Sequence, residues 1–340
     1  MSRILTKQQR LDGLAALGAA MREPDAELQH LIDTAHRHNA WFTPEFTRQA
    51  VRSIGDMLNR DDLSAWSQQW DDNNGAPKKV GLVLAGNIPL VGLHDVLCVL
   101  AAGHVALIKQ SSQDQQIIPV LLRKLSEAEP GFAASVEFCD RLHGYDAVIA
   151  TGSNNSSRYF EYYFSGVPSI IRRNRNSVAV LTGEETSPEL RELGRDIFDY
   201  FGLGCRNVSK IYVPLGYEFR KFFEAVEEYN TLAAHHKYFN NYEYNKSILL
   251  VNGDAHLDNG FLLVKKDPKL TSPLAVLHYE EYSDAESLKE ALLGQAGAIQ
   301  CVVSGAGGIP GSVRFGTAQH PGLWDYADGI NTMDFLTSLS

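Results

Sequence analysis

The sequence predicts an α/β fold in which a parallel, doubly wound sheet is followed by a second α/β unit, and three observations predict it. Short apolar runs of the kind covered on both faces recur from residue 80 onward: VGLVLA (80–85), VALIK (105–109), SVEF (135–138) and DAVIA (146–150). Segments of helical length separate them, with helices expected near 91–102 and 114–127, and this alternation implies crossover connections with ligands collected at the carboxyl ends of the strands. A second series opens at SVAVL (177–181) and continues through KIYVP (210–214), KSILLV (246–251), FLLVKK (261–266), LAVLHY (274–279) and IQCVVS (299–304). At 340 residues the chain is long enough for two cores.

Taken in order, residues 1–75 read as helical and polar and end in DDNNGAPKK, a turn or linker. The most apolar window, Ile88 to Ile108, contains His94, Asp95 and His104, which suits a buried strand-helix-strand unit and not a membrane span. Ser187, Pro188 and Glu189 supply an N-cap, a first-turn proline and a first-turn acid. Leu190, Leu193, Ile197 and Phe201 share one face of the helix that follows, and Gly202 ends it; a further helix is expected near 284–293. The expected domains are 1–176, 177–310 and 311–340, the last returning to the first domain or meeting a second copy through the apolar MDFLTSL, which suggests a homo-oligomer.

Composition narrows the function classes. The net charge of -10, from 31 basic and 41 acidic side chains, repels polyanions and disfavours nucleic-acid binding, so an anionic ligand needs a local cationic patch. Cys98, Cys139, Cys205 and Cys301 are widely separated and form no CxxC pair, which disfavours a zinc site or disulfide framework and fits a reducing cytoplasm. The first residues, MSRILTKQQRLDGLAALGAAM, interrupt their apolar positions with charge and lack the core of a signal peptide.

Four stretches carry candidate chemistry. In YFGLGCRNVSK (200–210), Gly202 and Gly204 let a substrate approach Cys205, and Arg206 and Lys210 are placed to lower its pKa; the alternative is a helix C-cap with a filler cysteine. ATGSNNSSRYFEYYF (150–164) sets Thr151, Gly152 and Ser153 between a strand and a helix N-terminus, a geometry that holds pyrophosphate, or in which Ser153 or Asn154 is only an N-cap. GNIP (86–89) offers the Asn87 amide as an oxyanion donor, or as ordinary turn chemistry. The basic run IIRRNRN (170–176) is a solvated face or an anion contact. GAGGIPG (305–311) reads as a loop, because SVRFG after Pro310 does not read as a helix, and His235-His236 lacks metal spacing.

Asn87, the Thr151-Gly152-Ser153 turn and Cys205, in this order, resemble the aldehyde dehydrogenase superfamily. GNIPLVGLHDVLCVL, ATGSNNSSRYFEYYF, RRNRNSVAVLTGEE, YFGLGCRNVSK and PGLWDYADGINTMDFL are similar to its LuxC-type acyl-CoA reductase branch, over about residues 80–336. The resemblance implies a doubly wound nucleotide-binding domain plus an α/β catalytic domain, and reduction of a fatty acyl thioester, from CoA or an acyl carrier, to the aldehyde. It makes Cys205 the thiol that takes up the acyl group, and Asn87 with the Cys205 backbone N–H the oxyanion hole. It makes Lys109, with Ser111 and Ser112 beside it, the binding site of the adenosine ribose, and Thr151, Gly152 and Ser153 the pyrophosphate site.

Three departures bear on mechanism. Hydrolytic members carry a glutamate base in an ELGG stretch where this chain reads RRNRN, which favours acyl reduction over hydrolysis. NAD-preferring members often place a glutamate where Ser112 stands, and a small neutral residue leaves room for a 2'-phosphate, so NADPH is the expected cofactor. The glutamate that holds the nicotinamide ribose in many members has no counterpart in KLTSPLAV (269–276). An acyl-phosphate reductase of the same superfamily and a non-catalytic subunit of a multi-enzyme complex are the alternatives.

Overall fold

The computed structural model describes residues 5–72, 75–305 and 309–339. The chain divides into two compact units, one running to Asn174 and resuming at Pro321, the other Arg175–His320.

The first unit begins with four helices, α1 (Lys7–Arg22), α2 (Ala26–Thr34), α3 (Pro44–Met57) and α4 (Arg60–Ser67). They start where they do because Thr6, Asp25, Thr43 and Asn59 each accept a first-turn N–H through a side-chain oxygen. The strands β1 (Lys79–Val83), β2 (Val105–Lys109), β3 (Val136–Phe138), β4 (Ala147–Thr151) and β5 (Ser169–Arg172) then form one sheet of order β3-β2-β1-β4-β5, parallel throughout. Helices α5 (Leu93–Ala101), α6 (Ile117–Ala128) and α7 (Asn154–Tyr163) lie in the crossovers. The chain winds outward from β1 to β3 and then returns to place β4 on the other side of β1, so the doubly wound expectation holds and the switch point lies between β1 and β4.

Residues 321–340 close this unit with the helix Thr332–Thr337. The His104 ring meets the Leu336 carbonyl at 2.9 Å, and the Trp66 indole N–H donates to the Tyr326 hydroxyl at 2.7 Å. Arg172, at the end of β5, is buried against both carboxylate oxygens of Asp95 and the Thr332 hydroxyl, and donates to the Ala327 carbonyl. The basic run, expected as a solvated face or an anion contact, is split: Arg172 is a buried structural tether and Arg175 donates to the Ile299 carbonyl, while Arg173 is solvated and pairs with Glu161.

The second unit comprises β6 (Asn176–Val180), α8 (Ser187–Phe198), β7 (Val208–Pro214), α9 (Arg220–Val226), α10 (His236–Asn252), β8 (Leu257–Asp258), β9 (Leu263–Lys266), β10 (Val276–Tyr282), α11 (Ala285–Gly294), β11 (Ile299–Ser304) and β12 (Val313–Arg314). Its seven-stranded sheet runs β12-β11-β6-β7-β10-β9-β8, with only the β8–β9 pair antiparallel.

Three expectations change here. KSILLV (246–251) is not a strand but the last turns of α10: Tyr238, Tyr242, Asn245 and Leu249 make a buried stripe at helical spacing, and the period set upstream carries through the apolar run. Helix α8 is capped by Thr186 and not Ser187, because Thr186 and Glu189 form a reciprocal capping box that satisfies two backbone N–H groups. It ends at Phe198, before Gly202. Residues 311–320 stay with this unit, where the expected boundary fell after 310, because the Asp196 carboxylate accepts the N–H groups of Gly316 at 2.6 Å and Ala318 at 3.0 Å. Among the described residues no helix is long and apolar enough to cross a membrane.

Candidate functional site

Two loops meet at the carboxyl edge of the first sheet. The turn after β1 brings Gly86 so close to the loop after β2 that a Cβ there would lie 2.5 Å from the Ser111 hydroxyl. Leu90 sits in left-handed backbone, φ 61°, a conformation costing a non-glycine residue about 1 kcal/mol. It is held there by its N–H, which donates at 2.8 Å to the Asp114 carboxylate. Asp114 is buried, and desolvation pushes its carboxyl up to about 6 against the opposing pull of that hydrogen bond. Stitched in this way, the turn carries Asn87 exposed between buried Gly86 and buried Pro89 and Leu90.

Lys109 is the exposed last residue of β2, followed by half-buried Ser111 and exposed Ser112. Thr151 is the last residue of β4. The Gly152 N–H donates to the Arg172 carbonyl at 3.3 Å, and a Cβ on Gly152 would lie 2.9 Å from the Ser156 Cβ and 2.7 Å from the Phe160 ring, so the first two turns of α7 pack down on the strand end only with glycine at this position. Ser153 is the N-cap of α7, its hydroxyl accepting from the Ser156 N–H at 3.2 Å. Because β2, β1 and β4 are adjacent in that order, Lys109, Ser111, Ser112, Asn87, Thr151, Gly152 and Ser153 lie along one edge, on both sides of the switch point.

Cys205 belongs to the second unit, just before β7, at the amino edge of its sheet. The approach to it is unusual. Tyr200, Phe201 and Gly202 are consecutively left-handed, φ 53°, 58° and 77°, and two of the three are aromatic, where this backbone is disfavoured. Burial holds them: Tyr200 and Phe201 are almost fully covered, and the Phe201 ring lies 4.3 Å from that of His235 and 6.0 Å from that of Tyr238. Buried Asn207 supplies the tie, accepting the Gly204 N–H at 2.8 Å and donating to the carbonyls of Asp199 at 2.8 Å and Asp196 at 3.1 Å.

Behind this turn, buried Ser177 donates its hydroxyl to the Cys205 carbonyl at 3.0 Å. The same hydroxyl accepts the Cys301 N–H at 3.2 Å and lies 3.0 Å from the Cys301 Sγ. The Cys205 side chain is half-buried. Lys210 does not serve it as expected: the ammonium is fully buried, bonded to Glu280 at 2.6 Å and the Pro268 carbonyl at 2.7 Å, and lies over the Tyr212 ring. Strand alternation turns Lys210 to a carboxylate that proximity in sequence could not reveal.

The remaining cysteines are less suited to chemistry. Burial pushes the Cys98 thiol well up, and burial with neighbouring Asp140 raises Cys139. The His235 and His236 rings stack at 5.4 Å, and among the described residues no cluster of three or more His, Cys, Asp or Glu side chains could hold a metal. Of GAGGIPG, residues 306–308 lie outside the described residues, and the short strand β12 follows it.

The sequence reading missed Asp114, Ser177, Asp196 and Asn207. Each is a small polar residue in a short loop or beside an apolar run, a pattern shared by many solvent-facing positions; only the tertiary neighbours mark them as anchors.

No protein-family model matches the sequence, and no curated protein does. Solved structures do match in fold. Aldehyde dehydrogenase 21 from Physcomitrella patens, in complex with the reaction product succinate, superposes with a TM-score of 0.70 at 13% identity over 98% of this chain and 85% of its own. An NAD-dependent aldehyde dehydrogenase from Sinorhizobium meliloti gives 0.67 at 11% identity, over 91% and 72%. A mutant of the P. syringae indole-3-acetaldehyde dehydrogenase AldA, in complex with NAD+ and IAA, gives 0.64 at 12%, over 91% and 74%. The fold is that of the aldehyde dehydrogenases.

Proposed function

We propose that this protein is an NADPH-dependent reductase that converts a fatty acyl thioester to the aldehyde through an acyl group carried on Cys205. The observation that carries the reading is the turn at Tyr200–Gly202, two buried aromatic residues held in left-handed backbone immediately before a cysteine, within an aldehyde dehydrogenase fold. Strain of this kind persists only where the surroundings over-determine it, and it clusters at functional sites.

The carboxyl edge of the first sheet suits a nicotinamide dinucleotide. It offers a cation at Lys109, hydroxyls at Ser111, Ser112 and Ser153, and the N-terminal N–H groups of ten-residue α7; of the acids there, Asp114 is buried beneath the loops and Asp140, just past β3, is exposed. Lys109 and Ser111 would take the adenosine ribose, and Thr151, Gly152 and Ser153 the pyrophosphate. Ser112, exposed and neutral, would leave room for the 2'-phosphate. When bound, the nicotinamide supplies the hydride that the acyl group requires to become an aldehyde.

The chain's own residues do the rest. The Cys205 thiolate attacks the carbonyl carbon of the thioester, its Sγ–C bond forms, the C–S bond to the carrier breaks, and the carrier thiolate leaves and takes a proton. In this reading the Cys205 backbone N–H and the Asn87 amide are the groups that would donate to the carbonyl oxygen as it gains charge, a single such donor being worth roughly 3 kcal/mol. Where hydrolytic aldehyde dehydrogenases carry a glutamate base, this chain has arginines committed to Asp95, Glu161 and the Ile299 carbonyl, and an arginine cannot activate water. The acyl group on Cys205 is thereby kept for reduction.

The test is a spectrophotometric assay of NADPH oxidation against acyl-CoAs of increasing chain length, with acyl phosphates alongside. Turnover of long-chain acyl-CoA with release of aldehyde supports the reading. Turnover of acyl phosphates alone transfers it to the phosphate-dependent alternative.

A further inference from the structure

The second unit contains a cavity of about 940 Å³ that the chemistry above does not use. It lies between α11 and the face of the sheet, walled chiefly by Val180, Leu288, Leu292, Ile299, Val302 and Ile309. Its size is at the upper end of small-molecule pockets, and its apolar wall extends from Ile299 at the start of β11 to Ser304 at its end, a length of roughly 16 Å.

The two ends differ. At the amino end of β11 the wall includes Cys301, whose Sγ lies 3.0 Å from the Ser177 hydroxyl, and that hydroxyl holds the Cys205 carbonyl. The Cys301 side chain itself packs into the core on the other face of the sheet, with Ala179 and Val303, so the β11 backbone and buried Ser177 stand between the cavity and the turn that presents Cys205. At the other end lie Glu184, Glu185 and Glu189. Glu185 is committed to the N–H groups of Thr182 and Gly183, and Glu189 to the capping box of α8, whereas Glu184 is exposed. Three carboxylates at one mouth outnumber Lys289, the cation among the lining residues, so an uncharged chain is favoured over an anionic one.

We propose that this cavity is an alkyl-chain site, and that it receives the acyl tail of the thioester that Cys205 accepts. The second half of this statement rests on the function proposed above; the first does not. A linear chain laid along β11 buries its methylenes against Leu288, Leu292 and Val302, each methylene accommodated raising affinity by up to roughly fourfold.

Two substitutions fill the cavity from different places: Leu292→Trp from α11, and Ala296→Trp from the exposed rim, where a folding defect is least expected. The probe is 1-dodecanol, measured by displacement of Nile red, with dodecanoate as the charged comparison. Expected are saturable displacement by dodecanol from the wild type, weaker displacement by dodecanoate, and a loss of at least tenfold in dodecanol affinity in both variants. The same variants should lower kcat/KM for myristoyl-CoA at least tenfold relative to butyryl-CoA. No saturable displacement, or affinities unchanged in both variants, overturns the alkyl-chain site. Loss of dodecanol binding with an unchanged ratio of myristoyl- to butyryl-CoA activity overturns its assignment to the acyl tail. If no acyl-CoA of any length reacts with the wild type, it is the proposed function that fails, and the dodecanol measurement still decides the cavity.

Discussion

Replacing Asn207 by alanine probes how the Cys205 turn is held. In the wild type, Asn207 Oδ1 accepts the Gly204 N–H and Nδ2 donates to the carbonyls of Asp196 and Asp199, all buried. Truncation leaves one N–H and two carbonyls without these partners, at about 1–3 kcal/mol each. A water can enter the space vacated and satisfy part of this, so the low end of the sum, about 3 kcal/mol, is the expected loss. For a unit of this size that corresponds to a fall of roughly 6–12 °C in the thermal midpoint. Far-UV circular dichroism measures it, alongside the rate at which iodoacetamide alkylates Cys205, read by peptide mass spectrometry. The alkylation rate should change as the turn loosens, while Asn207→Asp, which keeps the acceptor for Gly204 but sets a carboxylate against two carbonyls, should not restore the midpoint. A midpoint within 2 °C of wild type, with unchanged alkylation, would refute the anchoring role.

Other consequences can be checked separately. Arg172→Met leaves Asp95 buried and uncompensated, and should lower stability to urea by about 3–5 kcal/mol; Trp66, Trp70 and Trp324, in the same unit, report it by fluorescence. Asp114 and Asp196 have carboxyls raised to about 6 and about 7 by burial, so the folded state binds protons that the unfolded state has released above the ordinary value of 3.8. Their contribution to stability is complete below that value and is lost as pH rises through about 6 and about 7, at up to about 1.4 kcal/mol per pH unit per group. Asp196→Asn should therefore lose least relative to wild type at pH above 7, and urea midpoints that diverge with rising pH would contradict this. Ser112→Glu should shift the ratio of NADPH to NADH activity toward NADH by about tenfold or more, 1.4 kcal/mol being one such factor; an unchanged ratio removes Ser112 from cofactor discrimination.

The legible part of this fold was the part written as a run. Strands β1, β2, β4 and β6 are largely apolar stretches with interiors buried on both faces, and such stretches show their extent directly. KSILLV misled because its periodicity begins at Tyr238, eight residues before the run, so the run alone carries a strand's composition within a helix's frame. The placement of Asn87, Lys109 and the Thr151–Ser153 turn at one sheet edge was readable because each lies at or shortly after the carboxyl end of an apolar strand. The ties that shape the edge and the turn were not: Asp114 to Leu90 joins loops from different crossovers, Ser177 to Cys205 joins a strand to a later loop, Asn207 closes its own turn onto Gly204, and nothing local distinguishes those residues from solvated ones. Arg172 and Lys210 show the same limit in the opposite sense. Their charge was visible, but their burial against Asp95 and Glu280 depends on which strand face they occupy.

The central claim is that Cys205 carries the acyl group, and the most direct measurement is covalent labelling. The protein incubated with radiolabelled long-chain acyl-CoA, without nicotinamide, should retain label through denaturation and lose it to hydroxylamine, whereas Cys205→Ala should retain none and Cys301→Ala should label as the wild type does. Equal labelling of wild type and Cys205→Ala would contradict the account.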